Sequence, residues 1–186
     1  MTSAATLNLT GYLAGTWDID PVHTDVAFVV RHLVVTKVRG RFNDVSGHLV
    51  TAENPLESSV EISVDLNSIT TNNDMRDNHL RSADFFEVEK HPTMTYLASG
   101  VRQTDDGFVL DGELSLKDVT KVVPLEFEFN GVSTADDFGT RAGFSGKAQI
   151  NRKDFNVNFA AAQNGLAVVG DKIEIHIEVE AVLRKD

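Results

Sequence analysis

The chain has 186 residues, a formal net charge of −11 and no cysteine. That length suits one domain with a sizeable core. A surface this acidic repels phosphate backbones and anionic head groups, which argues against nucleic-acid binding and against electrostatic docking on a membrane. The missing thiols exclude disulfides, thiolate nucleophiles and Cys-based zinc sites.

Residues 1–13 carry no Lys or Arg and no apolar run long enough for a signal-peptide core. Residues 1–15 therefore read as a flexible lead-in, residues 16–186 as a single domain, and the protein as cytoplasmic, with no stretch suited to stable membrane insertion. From there the chain alternates with period two. Val26, Phe28, Val30 and His32 share one face, and Gly40 stands two positions before Phe42. Val60, Ile62, Val64 and Leu66 alternate with Ser59, Glu61, Ser63 and Asp65.

Residues 70–92 break the pattern. Thr70-Thr71-Asn72-Asn73-Asp74 is rich in side chains that cap helices, and a short helical segment is expected at about 73–86. Asp77 and Arg81 are spaced for an i,i+4 ion pair worth a few tenths of a kcal/mol. The anchors of this segment are Leu80, Phe85 and Phe86, and His91-Pro92 ends it. It reads equally as a plug in a barrel end or as a lid over a ligand.

Alternation resumes with Met94, Tyr96 and Ala98. It continues through Phe108, Leu110, Gly112, Leu114 and Leu116, then Leu125, Phe127 and Phe129. Ala142, Phe144, Gly146, Ala148 and Ile150 share a further face, as do Ile173, Ile175, Ile177 and Val179. Asp105-Asp106-Gly107 signals a hairpin, and residues 53–55 and 134–139 read as loops. Pro21, Pro55, Pro92 and Pro124 all fall at starts or turns, outside strand interiors. One wet wall and one apolar wall over about eight to ten strands describes an all-β, antiparallel, closed barrel. A barrel of eight strands can either fill its interior or enclose a ligand. The small residues Gly40, Gly112 and Gly146 on inward faces fit both outcomes, since neighbouring rings can fill the space that glycine leaves.

Catalytic chemistry finds no motif. The histidines lack metal-ligand spacing, including His23 and His79 beside Asp20 or Asp77. No Gly-x-Ser-x-Gly elbow and no phosphate-cradling loop is present. No catalytic residue, metal or cofactor is read from the sequence.

The ordered motifs do resemble a known family. Trp17-Asp18-Ile19-Asp20 with His23-Thr24 comes first, then Val26-x-Phe28-x-Val30-x-His32 and Gly40-x-Phe42 with Gly47. Ser68-Ile69-Thr70-Thr71 leads into Arg76-Asp77-x-His79-Leu80-Arg81-Ser82-x-Asp84-Phe85-Phe86 and His91-Pro92. Gly112-x-Leu114-x-Leu116, Val119-Thr120-Lys121 and Ile150-Asn151-Arg152-x-Asp154-Phe155 complete the set. Over about residues 16–183 the chain resembles the YceI-like family of lipocalin-like, polyisoprenoid-binding barrels. It departs from the family pattern at Asn156, where glycine is usual. It departs again at Lys117-Asp118, where Arg-Gly is usual, and at Val122, which replaces a usual proline.

The resemblance implies a long apolar tunnel that binds, transports or stores an isoprenoid chain without catalysis. Its lining would come from inward residues: Phe28, Val30, His32 and Phe42 early in the chain, then Ile62, Val64 and Leu66. Leu80, Phe85, Phe86, Met94 and Tyr96 follow, then Leu114, Leu116, Phe127, Phe144, Ile150, Phe155 and Phe159. Arg39, Arg76, His79 and Arg152 are the candidates for holding a head group, because guanidinium grips phosphate in bidentate fashion. Competing readings are a barrel enzyme with His32 or His79 as acid–base group, a carrier for fatty-acid-like amphiphiles, and a filled interaction scaffold. Barrels of this type also occur as homodimers.

Overall fold

The computed structural model describes residues 9–135, 137–163 and 166–185, with side chains described at all of these except 163, 166 and 167. Its strands are β1 (Gly15–Ile19), β2 (Asp25–His32), β3 (Thr36–Phe42), β4 (Val45–Thr51), β5 (Ser59–Asp65) and β6 (Ile69–Thr70). After helix α1 (Asp74–Arg81) come β7 (Thr93–Ser99), β8 (Arg102–Thr104), β9 (Gly107–Leu116), β10 (Val119–Ala135), β11 (Gly139–Asn151), β12 (Ala162–Gln163), β13 (Leu166–Ala167) and β14 (Val169–Leu183).

All pairings are antiparallel, and the order β1-β4-β5-β7-β9-β10-β11-β14 closes on itself through β1 and β14. Three staves of this eight-stranded barrel are each made of two segments: β1 with β2, β3 with β4, and β5 with β6. The register shows why. The long β14 faces β2 from Val169↔His32 to Glu178↔Asp25, then faces β1 from Ile19↔Ala181 to Trp17↔Leu183. Residues 20–24 loop out between the two. Closure pairs β1 with β14, which removes the edges that an open sheet would leave at those two strands.

Turn chemistry fixes the connections. Lys117 and Asp118 are both in the left-handed region (φ 48° and 63°), the geometry of a two-residue hairpin between β9 and β10. Asn156 also takes that geometry (φ 58°, ψ 22°) after the 3-10 turn Arg152–Phe155, so asparagine performs the turn where glycine is usual. The Asp105-Asp106-Gly107 hairpin forms as expected, with Thr104 opposite Gly107.

Three expectations are corrected. Pro124 lies inside β10, opposite Asp111. It is tolerated because β10 pairs with β11 only from Glu126 onward, so at Pro124 one side of the strand carries no ladder bond for the ring to break. The helix ends at Arg81, capped at its start by the Asn73 side chain on the Arg76 N–H (2.9 Å), and Phe85 and Phe86 sit in the turns beyond it. The Asp77–Arg81 ion pair does not form. Asp77 is buried and accepts from the Thr71 N–H (2.8 Å) and hydroxyl, while Arg81 donates to the carbonyls of Asn67 (2.9 Å) and Ile69 (2.8 Å). Backbone polar groups took both side chains, buried at Thr71 and part-buried at Ile69, because leaving such groups unpaired costs more than a solvated pair returns.

The interior is divided along the barrel. The larger cluster fills the half next to α1: Phe42, Val64, Leu66, Ile69, Phe85, Leu114, Leu116 and Phe155 are all buried. A smaller cluster of Trp17, Leu49, Ala142 and Ala181 lies toward the other end, with Phe129, Phe144 and Leu183 packed on it. Two inward glycines are filled by rings. A Cβ on Gly40 would stand 2.4 Å from the Phe28 ring, and one on Gly112 would stand 2.3 Å from Tyr96.

Candidate functional site

Between the two clusters the barrel is hollow. A cavity of about 110 Å³ opens toward the end that carries residues 9–14, 52–58 and 100–106. Its walls are Ile19 of β1, Leu49 of β4, Val60 and Ile62 of β5, Phe108 and Leu110 of β9, Leu125, Phe127 and Phe129 of β10, Phe144 of β11, and Ile177 and Val179 of β14. These strands reach the wall because their period-two faces point the same residues inward that the sequence marks as apolar. Gly146 borders the cavity, so one of the three inward glycines does adjoin open volume, although a Cβ there would press on Leu125 and the Glu126 carbonyl at 3.3–3.4 Å.

Among the described residues, none that lines the cavity is charged. The polar residues along it are Tyr12, Thr51, Ser58, Ser59 and Ser145, and the Ser145 hydroxyl is spent on Asn130 and Glu178 outside the barrel. Tyr12 bridges the mouth: its hydroxyl donates to the Ala52 carbonyl (2.8 Å), lies 3.1 Å from the Ser58 Oγ, and its ring meets Phe129 edge-on at 6.0 Å. Thr51 braces the same rim. It accepts from the Trp17 indole (2.7 Å) and donates to the Leu13 carbonyl (2.7 Å). Of the segment read as a flexible lead-in, residues 1–8 lie outside the described residues, and residues 9–13 run across this mouth.

Of the expected lining residues, Ile62, Phe127 and Phe144 border the cavity. Phe42, Val64, Leu66, Phe85, Leu114, Leu116 and Phe155 are buried in the packed half, with Phe28, Leu80, Phe86, Met94, Tyr96, Ile150 and Phe159 against them. Val30 and His32 are partly buried toward the end of β2 nearest the packed half. The Tyr96 hydroxyl is shared among the Leu110 and Val123 carbonyls and the Gly112 N–H at 2.9–3.0 Å, and burial pushes its pKa up to about 12.

The head-group candidates do not converge. Arg39 is exposed on β3. Arg76 donates to the hydroxyl (2.7 Å) and carbonyl (3.0 Å) of Thr71. His79 pairs with Asp84 (2.7 Å) and packs edge-on against Phe85 and Phe159. Arg152 is 5 % exposed and spends its guanidinium on the carbonyls of Val157 and Gly170 and on Asp171 (3.0 Å). Arg152 alone of the four is buried, while Arg76 and His79 are exposed and held by local partners on α1 and the turns beside it.

Asp20, His23 and Glu180 bring their ligand atoms within 4.8 Å of one another. Arg141 occupies that position as a counter-ion, 2.6 Å from Asp20 and also bonded to Glu180. Its guanidinium, with His23, holds the Asp20 carboxyl well below the usual carboxylate range. The group pins the looped-out residues 20–24 to β14 and β11. His79 belongs to a different cluster, so no shared histidine site forms.

The walls missed from the sequence were Ile19, Leu49, Val60, Phe108, Leu110, Leu125, Phe129, Ile177 and Val179. Most had been placed on apolar faces; what alternation lacks is any mark of which half of a face stays unfilled. Tyr12 carried no signal, since nothing local announces that a residue before the first strand returns to a barrel mouth.

The YceI-like domain model matches residues 17–181. A UPF0312 protein of Pectobacterium atrosepticum is 35% identical over 171 residues, covering 91% of this chain and 86% of its own length. Protein YceI of Salmonella newport is 35% identical over 169 residues, covering 90% and 86%. Among solved structures, a Campylobacter jejuni YCEI protein superposes with a TM-score of 0.70 at 30% identity, over 84% of this chain and 90% of that one. A polyisoprenoid binding domain from Saccharophagus degradans, implicated in plant cell wall breakdown, shares the fold at TM-score 0.70 and 16% identity, over 92% of this chain and 100% of that one. With the closed eight-stranded barrel and the ordered motifs, these matches assign the chain to the YceI-like family.

Proposed function

We propose that the protein binds a long apolar lipid, a polyisoprenoid above all, in the hollow half of its barrel and carries it without chemical change. The carrying observation is the uncharged, almost wholly apolar wall of the cavity, open at one end. Burial supplies roughly 25 cal/mol for each Å² of apolar surface removed from water. The polyisoprenoid-binding neighbour from Saccharophagus degradans supports the choice of ligand class. Against turnover stands the lining itself, which among the described residues offers no carboxylate, imidazole or amine to move a proton.

Size matters here. An engineered apolar cavity of roughly 150 Å³ accepts one benzene, so about 110 Å³ does not hold an extended chain unless the mouth and wall rings move. Binding is therefore coupled to displacement of residues 9–13 and to new rotamers at Phe127, Phe129 and Phe144. Organic extraction of freshly purified protein with mass spectrometry tests the reading, and native mass spectrometry reports bound mass and subunit number together. A co-purifying lipid, or a raised melting temperature with added polyprenol, is the expected result. Extracts without lipid combined with no thermal response would instead favour the filled-scaffold reading.

A further inference from the structure

We infer that the barrel mouth selects chains ending in a neutral hydrogen-bonding group, a hydroxyl, carbonyl or amide, over chains ending in a diphosphate. This rests on the lipid-binding reading and specifies its ligand.

Tyr12 carries the argument. It is an apolar ring with one neutral hydroxyl, seated in the cavity mouth with the ring against Phe129 and the hydroxyl on the Ala52 carbonyl and Ser58. The mouth thus already accommodates the chemistry of an alcohol on an apolar body. When residues 9–13 swing aside, the groups released are the Ala52 carbonyl, an acceptor, and the hydroxyls of Ser58 and Thr51, the complement of an alcohol or amide. None of them carries the positive charge that would offset a diphosphate.

Charge points the same way. Exposed Glu53 and Glu57 flank the rim on one side, and exposed Asp105 and Asp106 cap the β8–β9 hairpin on another. The guanidiniums that reach this end are held by carboxylates. Arg102 grips Asp111 in bidentate fashion (2.7 and 2.9 Å), Arg184 grips Asp18, and Arg141 lies between Asp20 and Glu180. Arg76 and Arg152, which could grip a diphosphate, are tied to other groups beyond the packed half. A diphosphate at the mouth would meet like charge with no free guanidinium among the described residues there, an interaction that is unfavourable and weakens with salt.

The test compares a long-chain polyprenol, the diphosphate of the same chain, and a hydrocarbon of matching length. Trp17, the single tryptophan, lies in the cluster beside the cavity and serves as the fluorescent reporter. The expected result is a Kd for the polyprenol about tenfold below that of the diphosphate at low salt, a gap that narrows as the Debye length falls from ~30 Å at 0.01 M to ~3 Å at 1 M. Tyr12→Phe, which keeps the ring and loses the competing hydroxyl, should bind the polyprenol a few-fold more tightly. Equal or tighter binding of the diphosphate overturns the selectivity while leaving lipid binding intact. Failure of all three probes to bind overturns the lipid-binding reading itself.

Discussion

Phe85 and Phe86 show how a residue can be prominent in sequence and structural in role. Phe85 is 6 % exposed, lies tilted on Phe159 (4.7 Å) and meets His79 edge-on (5.1 Å), while Phe86 meets Phe42 edge-on at 6.2 Å, all within the packed half. Phe85→Ala should cost about 3–5 kcal/mol of stability by opening a cavity, measured by urea unfolding, and leave the polyprenol Kd within about twofold. A large loss of affinity at matched folding would give this segment a lid's role after all. Gly112 presents the opposite case. Gly112→Ala drives a methyl into the Tyr96 ring, where about 1–3 kcal/mol of overpacking strain is expected from thermal denaturation. Tyr96 also sets an alkaline limit. Its neutral form is favoured, so its contribution is intact below the unfolded tyrosine pKa near ~10 and is lost as pH rises toward about 12. Tyr96→Phe should flatten that loss.

At the scale of elements, the barrel strands and the capped helix were legible because each rests on local chemistry: alternation, an Asn cap, a turn sequence. The partners of Asp77, Arg81 and Arg152 were not, because each side chain is taken by backbone groups that the turns and the tertiary fold bring near, and a favourable spacing of charges says nothing about that competitor. The looped-out residues 20–24 are similar. Sequence marks them only by Pro21, while their function in the fold is to let one stave bend past β14, fastened by Arg141 across Asp20 and Glu180. The depressed Asp20 pKa makes this fastening acid-labile. With a folded pKa below the unfolded value, the carboxylate stabilises the fold at all pH values above about 4, and that stabilisation fades as pH falls toward the lowered pKa. Asp20→Asn should therefore be less stable near neutrality by on the order of 1–2 kcal/mol and lose less on going to pH ~3 than the parent protein. Urea midpoints at the two pH values decide it, and parallel losses in both proteins would show that the pair contributes nothing to acid sensitivity.

Across the whole molecule the division into a packed and a hollow half separates stability from binding. Every inward face runs through both halves, so alternation predicts the barrel and its apolar interior but not where along the axis volume remains. That follows from ring placement: Phe28 over Gly40 and Tyr96 over Gly112 fill one half, whereas beside Ile62, Leu110 and Leu125 the rings of Phe108, Phe127, Phe129 and Phe144 line open volume. Leu110 is the position to test, since it lines the cavity and lies on β9 between the mouth and the filled half. Leu110→Trp would place an indole into about 110 Å³ of open space, gaining apolar contact instead of straining a full core. The melting temperature should hold or rise, while capture of polyprenol, read by native mass spectrometry, should fall by about tenfold or more, equivalent to ~1.4 kcal/mol. Phe85→Ala is its mirror image, losing stability and keeping affinity. Should Leu110→Trp retain full affinity, the lipid chain would have to lie elsewhere than in this cavity, and the hollow half would be a packing defect with no part in binding.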